Sequence, residues 1–165
     1  MKLSQGVEWG LHCASLLALA PAGATVRREQ LAGHYALPEA YLAKHLQAMA
    51  RAGLLRATPG PKGGYRLCRP PESITVLDVV EAVEGRARPF LCQEIRQRGA
   101  AAIPPEECTV PCAINTVMDD ADDAWRASLR GVTIADLLTR MRPEVRKRNE
   151  ALLRGERPAN GSAHE

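Results

Sequence analysis

Between residues 26 and 68 the periodicity of the chain changes from helical to extended, and this stretch constrains the fold more than any other. Val26 to Tyr35 reads as a short helix, and a second begins at Pro38, a residue favoured in a helix's first turn, with Leu42, Leu46 and Met49 facing inward. Gly53-Leu-Leu-Arg-Ala-Thr58 then reads as a strand, Pro59-Gly-Pro-Lys-Gly-Gly64 as a turn and Tyr65-Arg-Leu-Cys68 as the returning strand. Two helices joined by a short turn make a helix-turn-helix, and the hairpin behind them is a wing. The glycines of the turn are not a phosphate-binding loop, because no helix follows them within reach.

The rest of the chain frames this unit. A first helix is expected from after Ser4 to about Ala20, with Val7, Leu11, Ala14 and Ala18 as its apolar stripe and Pro21-Ala-Gly23 as its stop. Ile74 to Val83 is a compact amphipathic helix, entered from Pro70-Pro71 and stopped by Gly85. Residues 86–112 are loop-like, and only Phe90 to Arg98 has helical character. After Cys112 comes the longest periodic run, with Ile114, Val117, Met118, Ala121, Trp125 and Leu129 on one stripe and Asp119, Asp120, Asp122 and Asp123 on the other face. A last helix spans Thr133 to about Met141. Too little chain remains to cover these two helices, so they are expected to bury against a second copy.

The expected fold class is therefore mostly α with a small β wing: a winged helix-turn-helix plus a long dimerisation helix, forming a homodimer. Residues 1–85 make the DNA-binding domain, 86–112 a ligand-binding loop, 113–142 the dimerisation helices and 143–165 a frayed tail.

Charge points to the partner. Residues 1–70 hold nine Lys and Arg against three acids, a charge of +6, whereas the other 95 residues carry −3. The basic half is the candidate face for double-stranded operator DNA. On the helix after Pro38, Tyr41, Lys44, His45, Gln47 and Arg51 can reach phosphates and base edges. Lys62 at the wing tip is placed to enter a minor groove, and Arg28 and Glu39 complete the candidate DNA-contacting set. At 165 residues and 45% apolar composition the chain has enough for a packed core, while Leu11 to Ala22 is too short to span a bilayer; the expected location is the cytoplasm. No nucleophile and base pair or cofactor fingerprint supports an enzyme.

Five cysteines, an odd number, suit a metal or redox site better than a disulfide scaffold. Glu8 and His12 lie four residues apart, as do Cys108 and Cys112, and on a helix that spacing sets two side chains on one face. One carboxylate, one imidazole and two thiolates suit either a structural zinc or an iron-sulfur cluster. Cys13 and Cys68 read as small apolar residues, and Cys92 as a guard or reserve ligand.

The run Tyr41-Leu-Ala-Lys-His-Leu-Gln-Ala-Met-Ala-Arg-Ala-Gly-Leu-Leu55, the wing Gly60-Pro-Lys-Gly-Gly-Tyr65 and the helix Ile74 to Val83 resemble the Rrf-two family of bacterial winged-helix transcription regulators. Val7-Glu-Trp9, Leu11-His-Cys13 and Glu94-Ile-Arg-Gln-Arg-Gly99 further resemble its RsrR type. The resemblance implies a redox sensor with a 2Fe-2S cluster bridging the dimer, held by Glu8 and His12 of one subunit and Cys108 and Cys112 of the other. With two thiolates and one carboxylate as its anionic ligands, such a site is less negative than an all-cysteine one and is reduced at a higher potential. Trp9, beside Glu8, is the candidate for a packing element that rearranges with redox state. The alternative is a zinc-stabilised or cluster-free winged-helix regulator answering another signal.

Overall fold

The computed structural model describes residues 2–60 and 63–156. Among the described residues seven α-helices and one hairpin follow one another as α1 (Gln5–Ala18), α2 (Arg28–His34), α3 (Glu39–Arg51), β1 (Leu55–Thr58), β2 (Gly64–Leu67), α4 (Val76–Glu84), α5 (Ala113–Arg130), α6 (Ile134–Arg140) and α7 (Pro143–Leu153).

The inward residues expected on α3 are the centre of the core. Leu42, Leu46 and Met49 are fully buried, and they meet Leu16 and Leu17 of α1, Leu31 of α2, Val79 of α4 and Ile134 of α6. Fully burying a leucine side chain is worth about 1.5–3 kcal/mol, so this cluster is the main reason that α1 to α4 form one body. Pro38 precedes α3 with φ −63°, the value its ring imposes.

β1 and β2 pair antiparallel with Leu55 opposite Leu67 and Thr58 opposite Gly64. Val26 adds a short third rung, its N–H reaching the Tyr65 carbonyl at 2.9 Å while Tyr65 N–H returns to Val26 at 2.8 Å. Gly64 is required there: its φ is +151°, and a Cβ would lie 2.6 Å from the Val26 carbonyl oxygen.

α4 and α6 start side by side. Thr75 caps α4 in a reciprocal pair with Asp78, Thr133 does the same with Asp136, and the two capping strands exchange hydrogen bonds (Val76 N to Val132 O and Ile134 N to Ile74 O, both 2.8 Å). This ties α6 to α4 and so to the head that reads DNA, α1 to α4.

Three expectations change. The segment read as a frayed tail is helical from Pro143 to Leu153, because Pro143 starts the turn and Asn149 and Leu153 return to the body of the protein. Phe90 to Arg98 forms only a single 3-10 turn at Ile95–Gln97. Asp122, placed with its neighbours on the solvated face of α5, is 6% exposed. Among the described residues, no helix is long and apolar enough to cross a membrane.

Candidate nucleic-acid interface and metal centre

α3 presents Tyr41, Lys44, Gln47 and Arg51 to solvent, and Tyr41 is 68% exposed. A planar ring, two cations and an amide on one helix suit base edges and phosphates together. Two members of the candidate set stand differently. Arg28 spends its guanidinium on Glu39 (2.6 Å), a solvent-exposed ion pair that links the starts of α2 and α3. His45 is half-buried: its ring lies over Gly6 of α1 and meets Trp9 edge-on at 5.9 Å between centroids. A methyl group at Gly6 would collide with that ring, so the glycine lets α1 and the recognition helix approach closely. Burial lowers the His45 pKa, and nearby Lys44 adds to the effect. Lys62 lies outside the described residues.

α1 carries one half of the expected metal set, Glu8 and His12, one turn apart. Glu8 and His12 are exposed, beside an apolar depression lined by Leu3, Val7 and Leu11. His12 is tied to the reading head through Tyr35 at the end of α2: the two rings are 5.2 Å apart, and the Tyr35 hydroxyl donates to the His12 carbonyl at 3.3 Å. Burial pushes the Tyr35 hydroxyl up to about 12, so it stays a donor.

Cys108 and Cys112 do not share a helical face. Cys108 ends a 3-10 turn begun at Pro105, and Cys112 occupies the position before α5, because Pro111 lacks the N–H a continuous helix would need. The first turn of α5 points its free N–H groups back at Cys112, and those of Asn115 and Ile114 hold its thiol below the ordinary cysteine value.

The residue that sequence reasoning left at the margin is Cys92. Its ligand atom, one from Glu94 and one from Cys112 all lie within 4.8 Å of one another. The signal that could have flagged it is the short spacing Cys92-Gln-Glu94, followed by Arg96. Glu8 and His12 are not part of this group. Cys13 is fully buried, and burial pushes its thiol up to about 12, which makes it an inert packing residue; Cys68 is exposed after β2 rather than packed.

An exposed recognition helix beside a two-stranded wing, on a basic half-molecule, defines a DNA-binding winged-helix protein. Sequence comparison is more specific: the profile described as Rrf2, iron-dependent transcriptional regulator, matches residues 3–140, and the chain belongs to the Rrf2 family. A Rhodopseudomonas palustris protein named as the HTH-type transcriptional regulator BadM is 31% identical over 147 residues, covering 89% of this chain and 87% of that one. Another from Bacillus subtilis, named as the HTH-type regulator YwgB, is 29% identical and covers 86% of both chains. Among solved structures, that of CymR, the global cysteine regulator of B. subtilis, superposes with a TM-score of 0.62 at 23% identity, over 86% of this chain and 99% of that one. The structure of T. potens IscR superposes equally well, with a TM-score of 0.62 at 23% identity over 84% and 87% of the two chains. These two share the fold. The chain is thus a transcription regulator and not an enzyme.

Proposed function

We propose that this regulator is a homodimeric redox sensor carrying a 2Fe-2S cluster, and that the oxidation state of the cluster sets operator affinity. The observation that carries the reading is the placement of Glu8 and His12. They are exposed donors on a helix whose neighbouring residues, Gly6 and Trp9, pack directly on the recognition helix through His45.

The donor chemistry fits the group. Cys108 and Cys112 are unpaired thiols, Glu8 supplies a carboxylate and His12 an imidazole, and a mixed set of this kind holds iron-sulfur clusters with fewer than four thiolates. Glu8 and His12 are not members of the group formed by Cys92, Glu94 and Cys112, and in this reading Cys108 and Cys112 of a second subunit complete the site. The surface for that copy is on α5, where Ile114, Val117 and Met118 are 63%, 65% and 40% exposed in a row at helical spacing. When bound, the cluster supplies one-electron redox chemistry.

The chain's own residues do the rest. His12 answers a change of charge through the hydrogen bonding of its ring, and its backbone carbonyl is held by Tyr35 at the start of the turn leading to α3. Trp9 and His45 pass a tilt of α1 to the same helix, changing the separation of the two reading heads on the operator. A tenfold change in affinity needs only about 1.4 kcal/mol of differential binding.

The test is anaerobic purification with iron and sulfide analysis, followed by dithionite titration of the wild type and of Glu8→Ala, His12→Ala and Cys108→Ala, with operator binding measured in both states at matched salt. Two irons and two sulfides per subunit, bleached reversibly and perturbed by each substitution, are expected. A colourless protein that binds operator identically with and without reductant overturns the sensor and leaves the winged-helix regulator standing.

A further inference from the structure

A second group of metal-binding side chains lies within one subunit, and it involves neither Glu8 nor His12. Cys92, Glu94 and Cys112 come from a loop and from the start of α5, and their ligand atoms lie within 4.8 Å of one another. Three corners of a tetrahedron around an ion bound at about 2.0–2.3 Å stand about 3.3–3.8 Å apart, so the three ligand atoms need close by no more than about 1.5 Å to take an ion.

The surroundings are arranged as a metal site requires. The two oxygens of Glu94 are divided between two tasks: Oε1 accepts from Cys92 Sγ at 3.2 Å, while Oε2 is gripped by Arg96 through Nη2 at 2.8 Å and Nε at 3.2 Å. An outer partner on one carboxylate oxygen, with the other oxygen facing the ligands, is the usual way a metal-bound carboxylate is oriented. Arg96 is in turn fixed, its Nη2 donating to the Val110 carbonyl at 3.3 Å and its own carbonyl accepting from Ile103 N–H at 2.8 Å. Glu94 also has φ 45° and ψ 49°, a left-handed conformation that costs a residue with a Cβ about 1–2 kcal/mol. The strain turns its carboxylate back across the loop to Cys92, which an ordinary surface glutamate has no need to do.

We propose that Cys92, Glu94 and Cys112 of a single subunit bind one thiophilic divalent cation, zinc in the first instance, with the fourth position open to solvent or an added ligand. Thiolate sulfur selects zinc over the hard cations, and a carboxylate completes an anionic set. Two thiolates and one carboxylate carry three negative charges, which the divalent ion and the Arg96 guanidinium balance. Each thiol gives up its proton to solvent on binding. The site shares Cys112 with the cluster ligand set, so the two occupants exclude each other at that sulfur: a subunit filled with zinc cannot offer Cys112 to its partner. The proposal rests on one chain and stands whether or not the cluster reading holds.

The test uses the full-length protein stripped of metal by chelator under reducing, anaerobic conditions and titrated with Co²⁺, followed by displacement with Zn²⁺. One cobalt per subunit with the visible bands of tetrahedral, thiolate-bound cobalt is expected. Cys92→Ala should lose that spectrum, Glu94→Gln and Arg96→Ala should each bind about tenfold more weakly or worse, and Glu8→Ala, His12→Ala and Cys108→Ala should bind as the wild type does. Thermal unfolding of the metal-free variants at the wild-type midpoint shows that a loss belongs to the site and not to folding; should Cys92→Ala unfold early, Glu94→Gln decides. A wild-type titration without thiolate-cobalt bands overturns the proposal. So does wild-type affinity in both Cys92→Ala and Glu94→Gln, or loss of binding in Cys108→Ala or His12→Ala.

Discussion

The reading head, α1 to α4, and the arm formed by the 86–112 loop and α5 are stabilised by opposite means. The head closes an apolar core within one chain, with Leu16, Leu31, Leu42, Leu46 and Met49 fully buried. In α5 the one buried residue is Asp122, while three large apolar side chains stand in solvent. Charge braces the arm: Arg126 holds Asp122 and crosses to Glu81 of α4 at 2.7 Å each, and within the arm Arg88 spans Asp119 at 3.1 Å and Asp123 at 2.7 Å, while among the described residues of α5 only Trp125 and Leu129 pack on Val7, Val76 and Val80 of the head. A core of packed side chains resists small shifts, whereas paired charges with spare acceptors can exchange partners. Asp122 Oδ1 has no hydrogen-bond partner among the described residues, so the junction has unused capacity where head meets arm.

The largest blow to that contrast falls on the head. Leu46→Ala leaves a cavity in the fully buried centre and should cost about 4 kcal/mol, read as a lower urea midpoint with unchanged slope. A loss below about 1 kcal/mol would mean that the head is not close-packed as described.

Arg126→Ala attacks the arm's anchor. The side chains of Arg126 and Asp122 are 13% and 3% exposed, so removing the cation leaves the buried carboxylate with only Arg88, 3.7 Å away, and should cost about 3 kcal/mol. The double variant Arg126→Leu with Asp122→Leu should recover most of this, because replacing a buried pair with apolar side chains is close to neutral. If the double variant is as unstable as the single, the loss lies in the bond from Arg126 to Glu81 and not in its pair with Asp122.

Gly6→Ala probes the contact between the two functional faces. A methyl group under the His45 ring must push α1 from α3, and overpacking of this kind costs about 1–3 kcal/mol. Operator affinity, measured by fluorescence anisotropy, should fall more than that of Gly33→Ala, where a Cβ meets nothing. Equal losses would detach α1 from the recognition helix.

The head was largely legible in the sequence, and the arm was not. Leu42, Leu46 and Met49 announce α3 by their spacing, and the Gly60 to Tyr65 turn announces the wing, because both signals are local. Asp122 was misplaced because four aspartates in five residues look like a solvated face; its partner Arg88 lies 34 positions away, and Glu81, which shares Arg126 with it, lies 45 positions from that arginine, beyond what periodicity encodes. That Cys92 lies beside Cys112 was not legible for the same reason, since the contacts through Arg96 that fold the loop back to Cys112 have no repeat. α7 was read as frayed from its charge, although Asn149, Leu152 and Leu153 share one helical face.

Val117→Asp tests the arm's exposed stripe. Val117 is 65% exposed, so the substitution should change unfolding stability of the separated subunit by no more than about 0.5 kcal/mol. In a homodimer it places two charges in an apolar interface, and sedimentation should show a shift to monomer. A wild-type sedimentation profile would move the dimer contact off this face.

The smallest expected effect sharpens the comparison at the head's outer edge, where α7 docks. His34 Nε2 lies 3.1 Å from Oδ1 of the buried Asn149, its ring is 4.5 Å from that of Tyr35, and His12 approaches from α1. Burial lowers the His34 pKa from 6.5, the hydrogen bond to Asn149 opposes the shift, and the charge of His12 adds to it. Below pH 6.5 the unfolded chain takes up a proton that the native ring resists, so the unfolded state binds more protons there and stability must rise with pH. The contribution is complete above pH 6.5 and is lost as pH falls through the lowered native pKa. His34→Gln keeps a partner for Asn149 but cannot titrate. The wild-type thermal midpoint should therefore fall relative to that of His34→Gln as pH drops from about 8 to about 5. A constant difference between the two proteins would mean that His34 titrates alike in the folded and unfolded chains, and that α7 is held by Leu152 and Leu153 without help from the histidine.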